Sequence, residues 1–111
     1  MGFSREKYQE ELGYLVDYAK VDWLNFYPIE GAARVLVGSE ASGECCRKVV
    51  LNLIGDMFDA GIRPIDLTPP PGPPFVSWAT DKEQTLRRIA REMDERENSI
   101  DFIDICWFTF V

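Results

Sequence analysis

The chain has no histidine in its 111 residues. That removes the commonest general base near neutral pH and the commonest metal ligand. Ser-His-Asp and Cys-His catalytic arrangements are therefore excluded. Cysteine is scarce as well: Cys45 and Cys46 are adjacent, and Cys106 stands alone near the end. An odd count without C-x-x-C spacing argues for reduced thiols rather than a disulfide framework or a zinc site. No apolar run approaches the ~20 residues that a membrane helix needs. The opening MGFSREKYQEE lacks a basic segment followed by an apolar one, so no signal peptide is expected and the default location is the cytoplasm. Phosphate-binding loops are missing too, because GSEASGE has neither the G-x-x-x-x-G-K pattern nor a preceding strand. The carboxylate pairs Asp56 with Asp59 and Asp101 with Asp104 have spacings ordinary for an acidic chain. Cys45 sits near a helix start, a position that lowers thiol pKa values, with only Arg47 and Lys48 as basic neighbours. No catalytic residue, cofactor or metal is assigned, and the chain is not expected to be an enzyme.

What the chain has in excess is negative charge. It carries 19 acidic residues against 12 basic ones, a formal net charge of −7. Such a surface repels phosphate backbones and attracts basic partners. The length suits one domain spanning residues 1–111, and a hydrophobic share of 46% is enough to build a core.

Residues 4–20 read as a helix capped by Ser4, with Tyr8, Leu12, Leu15, Val16 and Ala19 on one face. An aromatic connector follows, in which Trp23, Phe26 and Tyr27 are expected to anchor that helix on the core. Pro28 suits the first turn of a second helix, which Gly38 stops. Ser42 caps a third helix, whose apolar face is Cys46, Val49, Val50, Leu53, Ile54, Met57 and Phe58. Gly61 ends it in a left-handed turn. IRPIDL is a short strand, and Pro64 inside it predicts an edge or irregular position. TPPPGPP is a stiff loop, and FVSW returns as a second strand. Thr80 to Glu83 matches a T-x-x-E capping box, opening a helix from Asp81 to about Glu97. Leu86, Ile89, Ala90 and Met93 form its apolar stripe, opposite a dense mix of charges. The β-branched and aromatic run from Ile100 to Val111 predicts a final strand, beside FVSW or IRPIDL.

Helix, sharp turn and two-stranded unit is the outline of a winged-helix module. The expected fold is therefore α+β: about four helices with a small, mostly antiparallel sheet, winged-helix-like. Most such modules touch nucleic acid. Here the outer face of the third helix mixes Arg47, Lys48 and Asn52 with Glu44, Asp56 and Asp59, and the wing holds only Arg63, set against Asp66. Too few cations face one direction to release many counterions from a duplex. Direct nucleic-acid binding is not expected, and neither is a membrane partner.

The segments LIGDMFDAGIRPIDLT, FVSW, EQTLRRIAREMDE and DICWF together carry a likeness. Over residues 42–110 the chain resembles small bacterial immunity proteins of polymorphic-toxin and contact-dependent growth-inhibition loci. The matching positions are Gly61, Asp66 with Leu67, Phe75 with Trp78, Arg88 with Ile89, and Ile105 with Trp107 and Phe108. It departs at Ile65, where the family often has glycine, and at Met93 or Asp94, where tryptophan is common. The resemblance implies binding to a cognate toxin domain, basic and of the nuclease kind, by occlusion of its active site. The acidic charge fits such a partner. The expected contact residues are Asp56, Asp59 and Asp66 near the helix–strand corner, then Glu92, Asp94 and Glu95. The alternative is a winged-helix-like regulatory or adaptor module that binds protein or DNA.

Overall fold

The computed structural model describes residues 3–96 and 98–111. Met1, Gly2 and Glu97 lie outside the described residues, so the reading of Glu97 as part of the last helix is not addressed. Four α-helices form where caps and apolar spacing place them. α1 (Arg5–Val21) starts at Ser4, whose hydroxyl accepts the Lys7 N–H at 3.0 Å. α2 (Phe26–Val37) is capped by Asn25, keeps Pro28 in its first turn, and stops at Gly38, where φ is +93°. α3 (Gly43–Asp59) is capped by Ser42 and buries Cys46, Val49, Val50, Leu53, Ile54, Gly55 and Met57. It packs on α1, α2, α4 and the first strand, which makes it the central helix. No described helix is long and apolar enough to cross a membrane.

α4 (Lys82–Asp94) begins one residue later than its T-x-x-E pattern predicts. The capping box is Asp81 with Gln84, each side chain accepting the other's backbone N–H, at 2.8 and 3.1 Å. Two overlapping patterns compete here, and Asp81 takes the cap. Thr85, Ile89 and Met93 are the buried stripe. Asp81 also adds a negative charge at the positive end of the helix dipole. Thr80 is used differently, its hydroxyl lying 2.6 Å from that of Thr85.

Three strands, β1 (Ile62–Leu67), β2 (Phe75–Ser77) and β3 (Trp107–Phe110), form an antiparallel sheet in the order β2-β1-β3. The α+β class with four α-helices and a small antiparallel sheet is thus present. β1 is central, against the expectation that Pro64 would push it to an edge. The backbone explains why. Opposite Pro64 stands Phe108, whose own N–H and carbonyl both turn away from β1 to pair with Leu24, each at 2.8 Å. Pro64 therefore faces β3 at a position where antiparallel strands exchange no hydrogen bond. On its other side its carbonyl still accepts the Trp78 N–H at 3.0 Å, just past the end of β2. One missing donor at the end of a ladder is all that the proline costs.

The run from Ile100 to Val111 is not one strand. Ser99–Asp104 is a 3-10 helix, and only Trp107–Phe110 is extended, paired with β1. Phe102 and Ile105 lie three apart and are both buried, a spacing that one turn of 3-10 helix brings to one side and a strand does not. The Phe26 ring joins these parts, meeting Phe102 at 6.1 Å and Phe108 at 5.3 Å in edge-on contacts.

Gly61 shows how tightly α3 turns into β1. Its φ is +95°, and a Cβ there would lie 2.7 Å from Cε2 of Phe110. Replacing Gly61 by alanine should lower stability by about 1–3 kcal/mol, the range for a residue forced into such a conformation. Adding Phe110→Ala should recover only the steric part. Urea midpoints of the two variants check this.

Candidate protein-docking surface

The six acidic residues expected to contact a partner do not form one patch. α3 and α4 pack antiparallel, with ion pairs at both ends of their contact. Arg47 meets Asp94 at 2.7 Å, and Lys82 meets Asp59 at 2.7 Å. Between them Gly55 allows close approach, since a Cβ would sit 3.3 Å from both Leu86 Cδ1 and Lys82 Cε. Asp56 points to α1 instead and accepts the Tyr8 hydroxyl at 2.5 Å. Glu92 lies between Arg88 at 3.0 Å and Arg96 at 3.7 Å. Arg88 also stacks its guanidinium 3.6 Å above the buried Trp78 ring, which ties the end of β2 to α4. Asp56 and Glu92 are thus half-buried structural groups. Asp59 and Asp94 remain exposed, and pairs of that kind hold only ~0–1 kcal/mol, so an incoming cation can exchange with the internal one. Among the described residues, Asp66 and Glu95 make no ion pair. Asp66 lies on β1 and Glu95 at the end of α4, away from the Asp56 corner.

The carboxylate pairs fare similarly. Asp56 and Asp59 serve different partners, Tyr8 and Lys82. Among the described residues no group of three or more Cys, Asp and Glu is placed to hold a metal ion.

Another surface stands out, on the sheet face opposite the main core; α1 and α3 close one end of it, where the Thr109 hydroxyl donates to the Ala19 carbonyl at 3.4 Å and Arg63 reaches Phe58. Strand alternation puts Arg63, Ile65 and Leu67 there, with Phe75 and Ser77 of β2 and Trp107 and Thr109 of β3. Ile65 is fully buried yet lies outside the main core cluster, which takes Ile62, Trp78 and Phe108 from the opposite face. Its cover is aromatic. Trp107 is its cross-strand neighbour, and Trp23 meets Phe75 edge-on at 6.0 Å. Trp23, Phe75 and Trp107 are all half-buried, and Leu67 beside them is 41% exposed. Arg63 removes its charge from this face by bonding the Phe58 carbonyl at 2.7 Å and stacking on the Phe58 ring. Asp22, Asp66 and Asp104 are exposed near the rim. The connector aromatics thus divide. Phe26 enters the core as expected, whereas Trp23 packs on the outer sheet face. The sequence signal was the run of apolar residues on both faces of the last strand.

Cys46 and Cys106 are buried and Cys45 half-buried, all as free thiols. Burial pushes the Cys46 thiol up, with Arg34 partly opposing it. Burial pushes Cys106 well up, the charges of Asp66 and Glu92 add to it, and Arg88 partly opposes it. The Tyr8 phenol is also held above its ordinary value, by burial first and then by its hydrogen bond and charge contact with Asp56.

All three groups keep their protons longer in the folded chain than in the unfolded one. Their contribution is whole below the ordinary thiol and phenol values, about 8.5 and 10, and is lost as pH rises beyond them. The urea midpoint should fall between about pH 8.5 and 11, and Tyr8→Phe should remove part of the fall above about pH 10. A thiol-reactive dye at about pH 8 should modify Cys45 at least ~10-fold faster than Cys46 or Cys106.

Compared with protein-family models, with curated proteins and with solved structures, the chain matches none.

Proposed function

We propose that this protein is an immunity protein that binds a basic bacterial toxin domain, of the nuclease kind, and neutralises it by covering the active site. The outer sheet face carries the reading. A buried aliphatic, Ile65, ringed by half-exposed Trp23, Phe75 and Trp107 with Leu67 open beside them, has the composition of an interface centre. The acidic charge around it attracts a cationic protein and speeds encounter. Inhibition by occlusion needs durable binding and no chemistry, in keeping with a chain that has no histidine. The sequence likeness to immunity proteins points the same way.

A winged-helix-like regulator gripping DNA through α3 is the weaker reading. α1, α2 and α4 flank α3, and its exposed strip is Glu44, Lys48 and Asn52 with Asp59 at the end. One lysine beside two carboxylates cannot displace the counterions of a duplex.

The test is binding to the C-terminal domain of the protein encoded immediately upstream. Association should slow by ~10-fold or more between low and high salt, because steering charges are screened. Trp107→Ala should weaken binding by ~30-fold or more, as removal of a central aromatic does. Asp59→Asn and Asp94→Asn should stay within ~3-fold, as rim charges do. No binding to that domain, together with salt-sensitive retention of duplex DNA, would instead establish the regulator.

A further inference from the structure

We infer that the hollow at the open end of the outer sheet face receives a lysine or arginine side chain from the basic partner. This rests on the docking reading above. β1 runs two residues past its last pairing with β3, which is Ile65 opposite Trp107. The space left beside those residues, where the chain comes from the 3-10 helix into β3, is a hollow of about 260 Å³. Leu67, Ile103 and Trp107 line it with apolar side chains on the outer side, and Asp66, on the opposite face of β1 from Leu67, lines it together with Asp104 and Cys106.

That set of walls suits an amphipathic cation and little else. A lysine or arginine has an apolar stem and a charged head. The stem matches Leu67 and Ile103, the indole face of Trp107 attracts a cation, and the carboxylates accept its N–H groups. Among the described residues no lysine or arginine lines the hollow, though the charge of Arg88 reaches Cys106. Among the described residues neither Asp66 nor Asp104 makes an ion pair or a side-chain hydrogen bond. The Cys106 thiol is 3% exposed, with no hydrogen-bond partner among the described residues. Its raised pKa keeps it neutral there, so it adds no competing charge. The backbone contributes too. Thr68 turns its N–H toward Pro74, at 3.1 Å, so by strand alternation the peptide groups of Leu67 face the opposite way, toward the hollow. Its carbonyl is one more acceptor. An anionic guest would be repelled, and a purely aliphatic one would strip water from two carboxylates without pairing them.

The experiment is a titration of the full, isotopically labelled chain with N-acetylarginine N-methylamide, read by amide and indole NMR shifts. N-acetylcitrulline N-methylamide, the neutral analogue of similar shape, is the control. Saturable shifts should centre on the Trp107 indole N–H and the Leu67 and Cys106 amides. The citrulline compound should bind at least ~10-fold more weakly, since it lacks the charge. The double variant Asp66→Asn, Asp104→Asn should lose these shifts while keeping a dispersed, folded spectrum, because neither carboxylate holds an internal partner. Equal shifts from both compounds, shifts spread over other acidic sites, or shifts unchanged in the double variant would overturn the inference. Arginine binding in the hollow without any binding to the toxin domain would overturn the immunity reading alone. Toxin binding indifferent to the double variant, with a silent titration, would overturn the hollow alone.

Discussion

Two backbone hydrogen bonds between Leu24 and Phe108 set the frame for much else in this molecule. They join the segment after α1 to the last strand, across most of the chain. Because Phe108 spends its N–H and carbonyl on Leu24, its other edge asks nothing of β1, and Pro64 can sit there in the centre of a sheet. The same pairing fixes which side chains face inward. Leu24 and Phe108 turn to the core, where Phe26 waits between α2 and β3. Their neighbours Trp23 and Trp107 must then face outward. The aromatic outer face is thus a geometric consequence of how the core is closed.

The charges divide between two tasks. On the helical side, cations are matched to carboxylates: Arg47 with Asp94, Lys82 with Asp59, and Arg88 and Arg96 around Glu92. The first two sit at either end of the α3–α4 contact, and Arg88 also covers Trp78. On the sheet side the balance differs. Asp66 and Asp104 face no cation among the described residues, and Arg63 folds back onto Phe58. A chain with seven more acids than bases has unmatched carboxylates somewhere. Here Asp66 and Asp104 are two of them, both exposed at the end of the sheet.

Helices were legible because each carries redundant local information. Ser4, Ser42 and Gly38 mark ends that the apolar spacing of Leu15, Ala19, Val49, Leu53 and Met57 confirms independently. Where two local signals overlapped by one residue, at Thr80 and Asp81, the Thr80 hydroxyl meets the buried Thr85 and Asp81 takes the cap. The sheet was harder. Whether Pro64 lies at an edge or in the centre depends on Phe108, and whether Ile100–Ile105 is extended or wound depends on the site that receives Phe102. Both are long-range facts that no window of sequence contains. The contact residues were the least legible. Asp56 and Glu92 look like free surface acids in one dimension, and only the fold reveals Tyr8 and Arg88 beside them.

The loop between β1 and β2 bears on how this sheet meets other chains. β2 is three residues long and forms one border of the sheet, with Pro73 and Pro74 directly before it. Thr68 clamps the loop by donating its hydroxyl to the Pro73 carbonyl. The strand is so short that its free edge presents only the N–H groups of Phe75 and Ser77, because Trp78 turns its own to Pro64. A border of two rungs offers little to backbone pairing, so what distinguishes this sheet is the shape and charge of its side chains.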